Sequence, residues 1–405
     1  MRVLIPNHFP LQGSGSGIYT LNVAQQLVNA GHEAWVVVPE HHDVEGYPYR
    51  VRAIIFNSGQ NGNPPLDFNF PCFTTHPRST TTFYELTDAQ VQVYVRAWQQ
   101  AVDQAVAEFR PDVIHANHVW VASYAAHRTS VPYVISCHGT DLMGFRKGPR
   151  YRELALTAAA NACGIIAISR QVKADAIQTY GLPAEKVHLV WNGFDADCFK
   201  VLPEATKEAL LAEYQLGGAD RPLVSFVGKF THFKGIDVLL RAAAIYEEAL
   251  PGVQTLLAGH GELWNEMRSL RRELGLEGIH FLGHQPQSSV ARLHNAADVS
   301  VVPSRAEPFG LVAVEALACG TPVVATNEGG LPDFISESVC ALVPVDDPGR
   351  LAAAIIAEIT DGTKRSKGIY ASQYALDNFT WSRQVAKMIK LYVAALRNSA
   401  SAPRK

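Results

Sequence analysis

The sequence predicts an α/β fold built from two parallel, doubly wound sheets with helices on both faces. Short runs rich in Val and Ile alternate with amphipathic stretches along the chain, the pattern of right-handed strand–helix–strand units. The alternation falls into two series separated by a polar stretch, and 405 residues suffice for two such units at about 100–200 residues per domain. With 47% of residues hydrophobic and 18% charged, the chain has material for large cores and too little charge for disorder.

The first series opens with the strand Val3-Leu4-Ile5, then a helix over about 18–29 that stops at Gly31, then the strand 34–38. The stretch 41–82 is long, polar and rich in Pro, Asn and Thr, which predicts a functional or mobile loop. The series resumes with a helix over 88–108 and strands at 113–114, 133–135, 165–168 and 187–190. The second series has strands at 223–227, 255–258, 279–282, 299–302 and 322–325, each followed by a helical pattern. Between them, 200–221 is a polar helical pattern running into LGGADRP, which places the boundary near 195–222 and predicts domains of 1–199 and 200–380. The amphipathic tail 381–405 is expected to pack back on the first domain.

Composition excludes several function classes. A formal net charge of −3, from 35 basic and 38 acidic residues, argues against nucleic-acid binding by counterion release. The longest apolar runs fall far short of the roughly 18 residues that cross a bilayer. The start MRVLIPNHFP lacks the basic region and cleavage site of an export signal, so a cytoplasmic protein is expected. Six widely spaced cysteines without a C-x-x-C pair read as reduced thiols.

Several motifs carry chemistry. Glycines 13, 15 and 17 open the first helix, but position 18 is Ile, so the dinucleotide fingerprint G-x-G-x-x-G fails. What survives is backbone able to approach a ligand closely, with helix-start amides that favour an anion. Lys229 leaves a strand and Lys234 opens the next helix, a pairing suited to charge growing on a departing diphosphate. Glu307 and Glu315 stand eight apart at a helix start, and carboxylates accept paired hydrogen bonds from vicinal hydroxyls. Asp195-Ala196-Asp197 matches the D-x-D pattern that holds divalent metals, yet it sits between the series; neither it nor the pair His115 and His118 supplies a complete ligand set. No metal and no cofactor is expected.

Together these features resemble the family-4 retaining glycosyltransferases of the GT-B fold. The matching segments are GSGSG at 13–17, IHANH at 114–118, HGTD at 138–141, WNGFD at 191–195, GKFTHFKG at 228–235, AGHGE at 258–262, FLGH at 281–284, SRAEPFGLVAVEALACGTPVVAT at 304–326 and GGLPD at 329–333. They run in order over nearly the whole chain, and the E-x7-E segment with its continuation is highly specific.

The resemblance implies two Rossmann-like domains facing across a cleft, the second holding a nucleotide-sugar. It implies that Lys229 and Lys234 contact the diphosphate, Glu315 the ribose, and Glu307 with the backbone of Phe309, Gly310 and Leu311 the donor sugar. Gly15 and Gly17 would approach the donor, and His138 would contact the sugar near the reacting carbon. His115, His118 and Arg146 are assigned to the acceptor. Lys229 departs from the arginine usual in the family, keeping the charge and losing the bidentate fork. The implied reaction moves a hexose or N-acetylhexosamine, with retention and front-side attack, from a nucleoside-diphosphate sugar, UDP being favoured, to a hydroxyl of a small polar acceptor. A nucleotide-sugar epimerase, a transferase to lipid or polysaccharide, and a non-catalytic sugar-nucleotide binder fit part of the same motif set.

Overall fold

The computed structural model describes residues 1–59, 66–74, 76–79, 81–218, 220–335, 339–362 and 364–401. The chain forms two compact units, one of Met1–Trp191 with the final segment from Trp381, the other of Asn192–Thr380.

In the first unit seven strands form a parallel sheet: β1 Arg2–Pro6, β2 Glu33–Glu40, β3 Arg50–Ile55, β4 Val113–Asn117, β5 Tyr133–Cys137, β6 Gly164–Ala167 and β7 Val187–Leu189. Their order is β3-β2-β1-β4-β5-β6-β7. The inner strands β4, β5 and β6 are buried throughout, the mark of a parallel sheet covered on both faces. In the second unit six strands order as β10-β9-β8-β11-β12-β13, with β8 Leu223–Val227, β9 Gln254–Ala258, β10 Ile279–Gly283, β11 Val299–Val302, β12 Val323–Thr326 and β13 Cys340–Val343. Every ladder between these strands is parallel. Strand order reverses between β1 and β4 in one sheet and between β8 and β11 in the other. Ligands of such folds bind beyond the carboxyl ends of strands at these reversals.

Two strands escape the sequence reading. β3 lies inside the stretch expected as a loop, where Trp35–Glu40 of β2 pairs with Arg50–Ile55. The aromatic and apolar residues of that stretch after β3 pack inward: Phe56, Leu66, Phe68, Phe70 and Phe73, with Phe83 just beyond the stretch, are all buried. It is an aromatic wall and not a polar excursion; residues 60–65, 75 and 80 of it lie outside the described residues. β13 follows the long 304–333 motif and is only four residues long.

The first unit ends at Trp191 and not at 199, because Phe194 and Phe199 are buried in the second. The Phe194 amide donates to the Phe379 carbonyl at 2.9 Å, so the outgoing chain lies beside the returning one. The helix Trp381–Ser401 then rejoins the first unit, burying Trp381, Val385, Met388, Tyr392 and Ala395. These recur at intervals of three and four, one stripe of a helix.

Candidate active site

In the second unit the loops after β8 and β11 flank the strand-order reversal. A short 3-10 turn, His232–Lys234, leads through Gly235 into the helix Ile236–Ala249. Gly235 has φ +63, and a Cβ there would stand 2.0 Å from the Pro303 carbonyl oxygen. Only glycine lets the turn lie this close to the chain leaving β11. That approach brings Lys234 to Glu307: Nζ donates to Oε2 at 2.5 Å, and Ser304 Oγ donates to the same oxygen at 3.1 Å. Lys229 lies on the surface beyond β8.

Gly310 caps the helix Leu311–Ala318 in the left-handed conformation, and Phe309 beside it is buried against Phe334 at 5.2 Å. The Phe309 side chain therefore belongs to a core, leaving its backbone for a ligand. Leu311 opens the helix, and the first amides of a helix have no acceptor within it. Glu315, in the second turn, is pushed up to about 7 by desolvation and by the nearby Asp195 carboxylate. Asp195 itself is committed locally, its Oδ1 accepting from the amides of Asp197 at 3.0 Å and Cys198 at 3.4 Å. Among the described residues no three His, Cys, Asp or Glu side chains converge as metal ligands.

In the first unit β1 leads to the glycine loop. Ser14 caps the helix Gly15–Asn29, its Oγ accepting from the Gly17 amide at 3.0 Å. Gly15 faces open space, while a Cβ on Gly17 would stand 2.1 Å from the Pro10 carbonyl oxygen. β5 ends at Cys137 and presents His138, whose backbone amide donates to Asp141 Oδ1 at 3.1 Å. Asp141 Oδ2 also accepts from the Val119 amide at 2.9 Å, so one buried carboxylate ties the turn after β5 to the turn after β4. The His138 Nε2 bonds Asn117 Oδ1 at 2.9 Å, and burial lowers its pKa to about 3. The ring is neutral at working pH, with Nε2 the donor, which leaves Nδ1 as an acceptor.

His118 sits 4.7 Å from His138, ring centroid to centroid, and 5.3 Å from Phe73. It is buried, adopts φ +68, and neither ring nitrogen has a hydrogen-bond partner. Burial above all, then the neighbouring histidines, holds its pKa well below the ordinary value. His115 behaves otherwise. Its Nδ1 meets Tyr392 Oη and its Nε2 meets Ser136 Oγ, both at 2.6 Å, and the side chain has no exposed surface. With both nitrogens engaged, His115 is a core bridge to the C-terminal helix and offers nothing to an acceptor. Arg146 lies exposed in the last turn of the helix Thr140–Lys147.

The structure thus gathers Lys234, Glu307, Gly310, Leu311 and Glu315 in one unit, and His138 beside His118 in the other. Sequence reasoning missed Asn117 and Asp141, which orient His138; their signal was the IHANH and HGTD segments themselves. It also missed Arg305, which lies inside the SRAEPFG segment.

The fold and these residues define a glycosyltransferase of the GT-B class. The profile of Glycosyltransferase Family 4 matches residues 13–197 and that of Glycosyl transferases group 1 matches residues 215–374. A D-inositol 3-phosphate glycosyltransferase of Mycolicibacterium vanbaalenii is 31% identical over 414 residues, covering 94% of this chain and 85% of the relative. The sucrose-phosphate synthase of Thermosynechococcus elongatus superposes with a TM-score of 0.76 at 25% identity, covering 99% of each chain. The Anabaena protein HepE, solved with UDP-glucose, shares the fold with a TM-score of 0.72 at 23% identity, covering 96% of this chain and 99% of its own. The chain belongs to glycosyltransferase family 4.

Proposed function

We propose that this enzyme transfers a hexose or N-acetylhexosamine, with retention, from a UDP-sugar to a hydroxyl of a small polar acceptor. The observation that carries the reading is the contact of Lys234 with Glu307 at the β8–β11 reversal. It sets a cation and a carboxylate where a diphosphate and a sugar hydroxyl would lie side by side. UDP as the carrier is supported by the complexes of HepE with UDP and with UDP-glucose. A small polar acceptor is supported by relatives named D-inositol 3-phosphate glycosyltransferase and alpha-maltose-1-phosphate synthase.

In this reading Lys229 and Lys234 neutralise the leaving diphosphate, in the place of a metal ion. Glu315 accepts the ribose hydroxyls, and Glu307 with the amides at Phe309, Gly310 and Leu311 holds the sugar. Gly15 and Gly17 let backbone approach the donor. His138, neutral and oriented by Asn117 and Asp141, gives the sugar one imidazole acceptor. His118 meets an acceptor hydroxyl through one of its unpartnered ring nitrogens, and Arg146 attracts an acidic acceptor group. The departing phosphate takes the acceptor's proton, so no protein nucleophile is required. The cytoplasm suits this work, since Cys72, Cys137, Cys163, Cys198 and Cys319 are free thiols, and no helix among the described residues is long and apolar enough to cross a membrane.

The test is product analysis of UDP-sugars incubated with candidate acceptors in excess chelator. Expected are UDP and an α-glycoside by NMR from an α-linked donor, with activity undiminished by chelation. A β-glycoside would reject retention, a new nucleotide-sugar would favour an epimerase, and activity restored only by Mg²⁺ or Mn²⁺ would reject metal independence.

A further inference from the structure

Arg305 lies two residues before Glu307, and its guanidinium joins segments far apart in sequence. Nε donates to Asp346 Oδ1 at 2.6 Å, Nη1 to Asp237 Oδ1 at 2.8 Å and to the His232 carbonyl at 2.9 Å, and Nη2 to Asp237 Oδ2 at 2.7 Å. Its backbone amide donates to the Phe233 carbonyl at 2.8 Å. The side chain is only 14% exposed. Asp237 lies in the first turn of the helix Ile236–Ala249, and Asp346 follows β13 with a left-handed backbone, φ +57.

Most of the five guanidinium N–H groups are thus committed within the protein, so this cation is not presented to a ligand. Its contacts instead bracket Lys234: His232 and Phe233 precede it, Asp237 follows it, and Arg305 itself leads into the Glu307 loop. We propose that Arg305 is a positioning residue that locks the Lys234 turn against the Glu307 loop and so sets where the lysine stands when negative charge grows on the leaving diphosphate. The proposal rests on the reading of Lys234 given above. A planar fork is required, since a lysine donates from a single nitrogen and cannot reproduce the bidentate contact with Asp237 while also holding Asp346 and the His232 carbonyl.

The consequence is a loss read in turnover more than in binding, because misplacing a charged group weakens its transition-state contact first. The experiment measures release of UDP from UDP-glucose, binding of UDP by calorimetry, and thermal unfolding, for Arg305→Ala, Arg305→Lys, Lys234→Ala and the double variant. Arg305→Ala is expected to lower kcat by about ten- to a hundredfold while the Kd for UDP changes less than about threefold. In the Lys234→Ala background the same substitution is expected to change kcat less than about twofold, since the group it positions is gone. Arg305→Lys is expected to fall between wild type and Arg305→Ala.

Full activity of Arg305→Ala overturns the proposal. So do effects that multiply in the double variant, or a kcat loss matched by the unfolded fraction. If Arg305→Ala does not fold, Arg305→Lys and Asp346→Asn are compared in the same cycle with Lys234→Ala, and multiplying effects there overturn it equally. A Lys234→Ala enzyme with wild-type turnover removes the reading of Lys234, and the proposal with it; this outcome is distinct from the others because it appears without any change at Arg305.

Discussion

Single side chains here take their chemistry from what surrounds them. Glu307 has a lysine and a serine on one oxygen, while Glu315, eight residues on, is half-buried, partly desolvated and near a second carboxylate. A carboxyl raised to about 7 is half protonated at neutral pH, and only its ionised form accepts two ribose hydroxyls. Binding of UDP-glucose is therefore expected to weaken about tenfold from pH 8 to pH 6, since each unit below the pKa costs a factor of ten. Glu315→Gln is expected to bind less tightly at pH 8 and to show no such slope; calorimetry across that range decides, and a flat wild-type profile refutes the role. Replacing Lys234 with Ala is expected to reduce kcat more than donor affinity, because leaving-group charge develops in the transition state. Glu307→Gln is expected to be severely impaired without trapping a covalent sugar on the enzyme, which mass spectrometry with a slow fluorinated donor checks.

At the scale of elements, the C-terminal helix is tied into the first sheet by polar contacts as well as by its apolar stripe. Tyr392 Oη bonds His115, His115 bonds Ser136, and Ser136 bonds Tyr19 Oη at 2.7 Å, a chain running from the last helix through β4 and β5 to the first helix. Tyr392→Phe leaves His115 Nδ1 buried without a partner, an expected loss of about 1–3 kcal/mol. Denaturant unfolding measures it, while the KM for UDP-glucose is expected to be unchanged because nothing in this chain belongs to the donor residues. An unaltered stability would show that the imidazole finds another partner.

At the scale of the whole molecule, acid is the stress this protein is built to feel. Burial holds His8, His115, His138 and His294 neutral, with pKa values of about 3, and pushes His118 in the same direction. Between about pH 6.5 and pH 3 the unfolded chain binds protons that the folded chain refuses, so stability rises with pH in this window and is lost as pH falls through it. Each buried histidine contributes about 1.4 kcal/mol per pH unit there. Glu315, Asp141 and Glu247 act with the opposite sign, since burial raises their pKa values and so favours the folded state at lower pH, but the histidines outnumber them. Thermal unfolding is expected to fall steeply from pH 6.5 to pH 5; a Tm constant over that range would mean that these histidines gain protons without unfolding.

The alternation of Val- and Ile-rich runs was enough to determine two parallel sheets, because strands buried on both faces are predominantly apolar, with only an occasional hydrogen-bonded polar residue. The motifs at 228–235 and 304–326 were likewise legible as segments, since glycine turns and helix starts are local, although the meeting of Lys234 with Glu307 across 73 residues is tertiary. The edge strand β3 was not legible, because RVRAII is mixed in polarity where one edge meets solvent, and neither was the inward packing of the aromatic residues that follow it. Nor did sequence separate His115 from His118. Three residues apart, they differ because one ring meets two hydroxyls, from Ser136 and from Tyr392 far along the chain, while the other turns in a left-handed backbone toward His138 and meets none. Only tertiary structure decides such matters, because a hydrogen-bond partner or a desolvating neighbour is supplied by chain that is distant in sequence and brought near by folding.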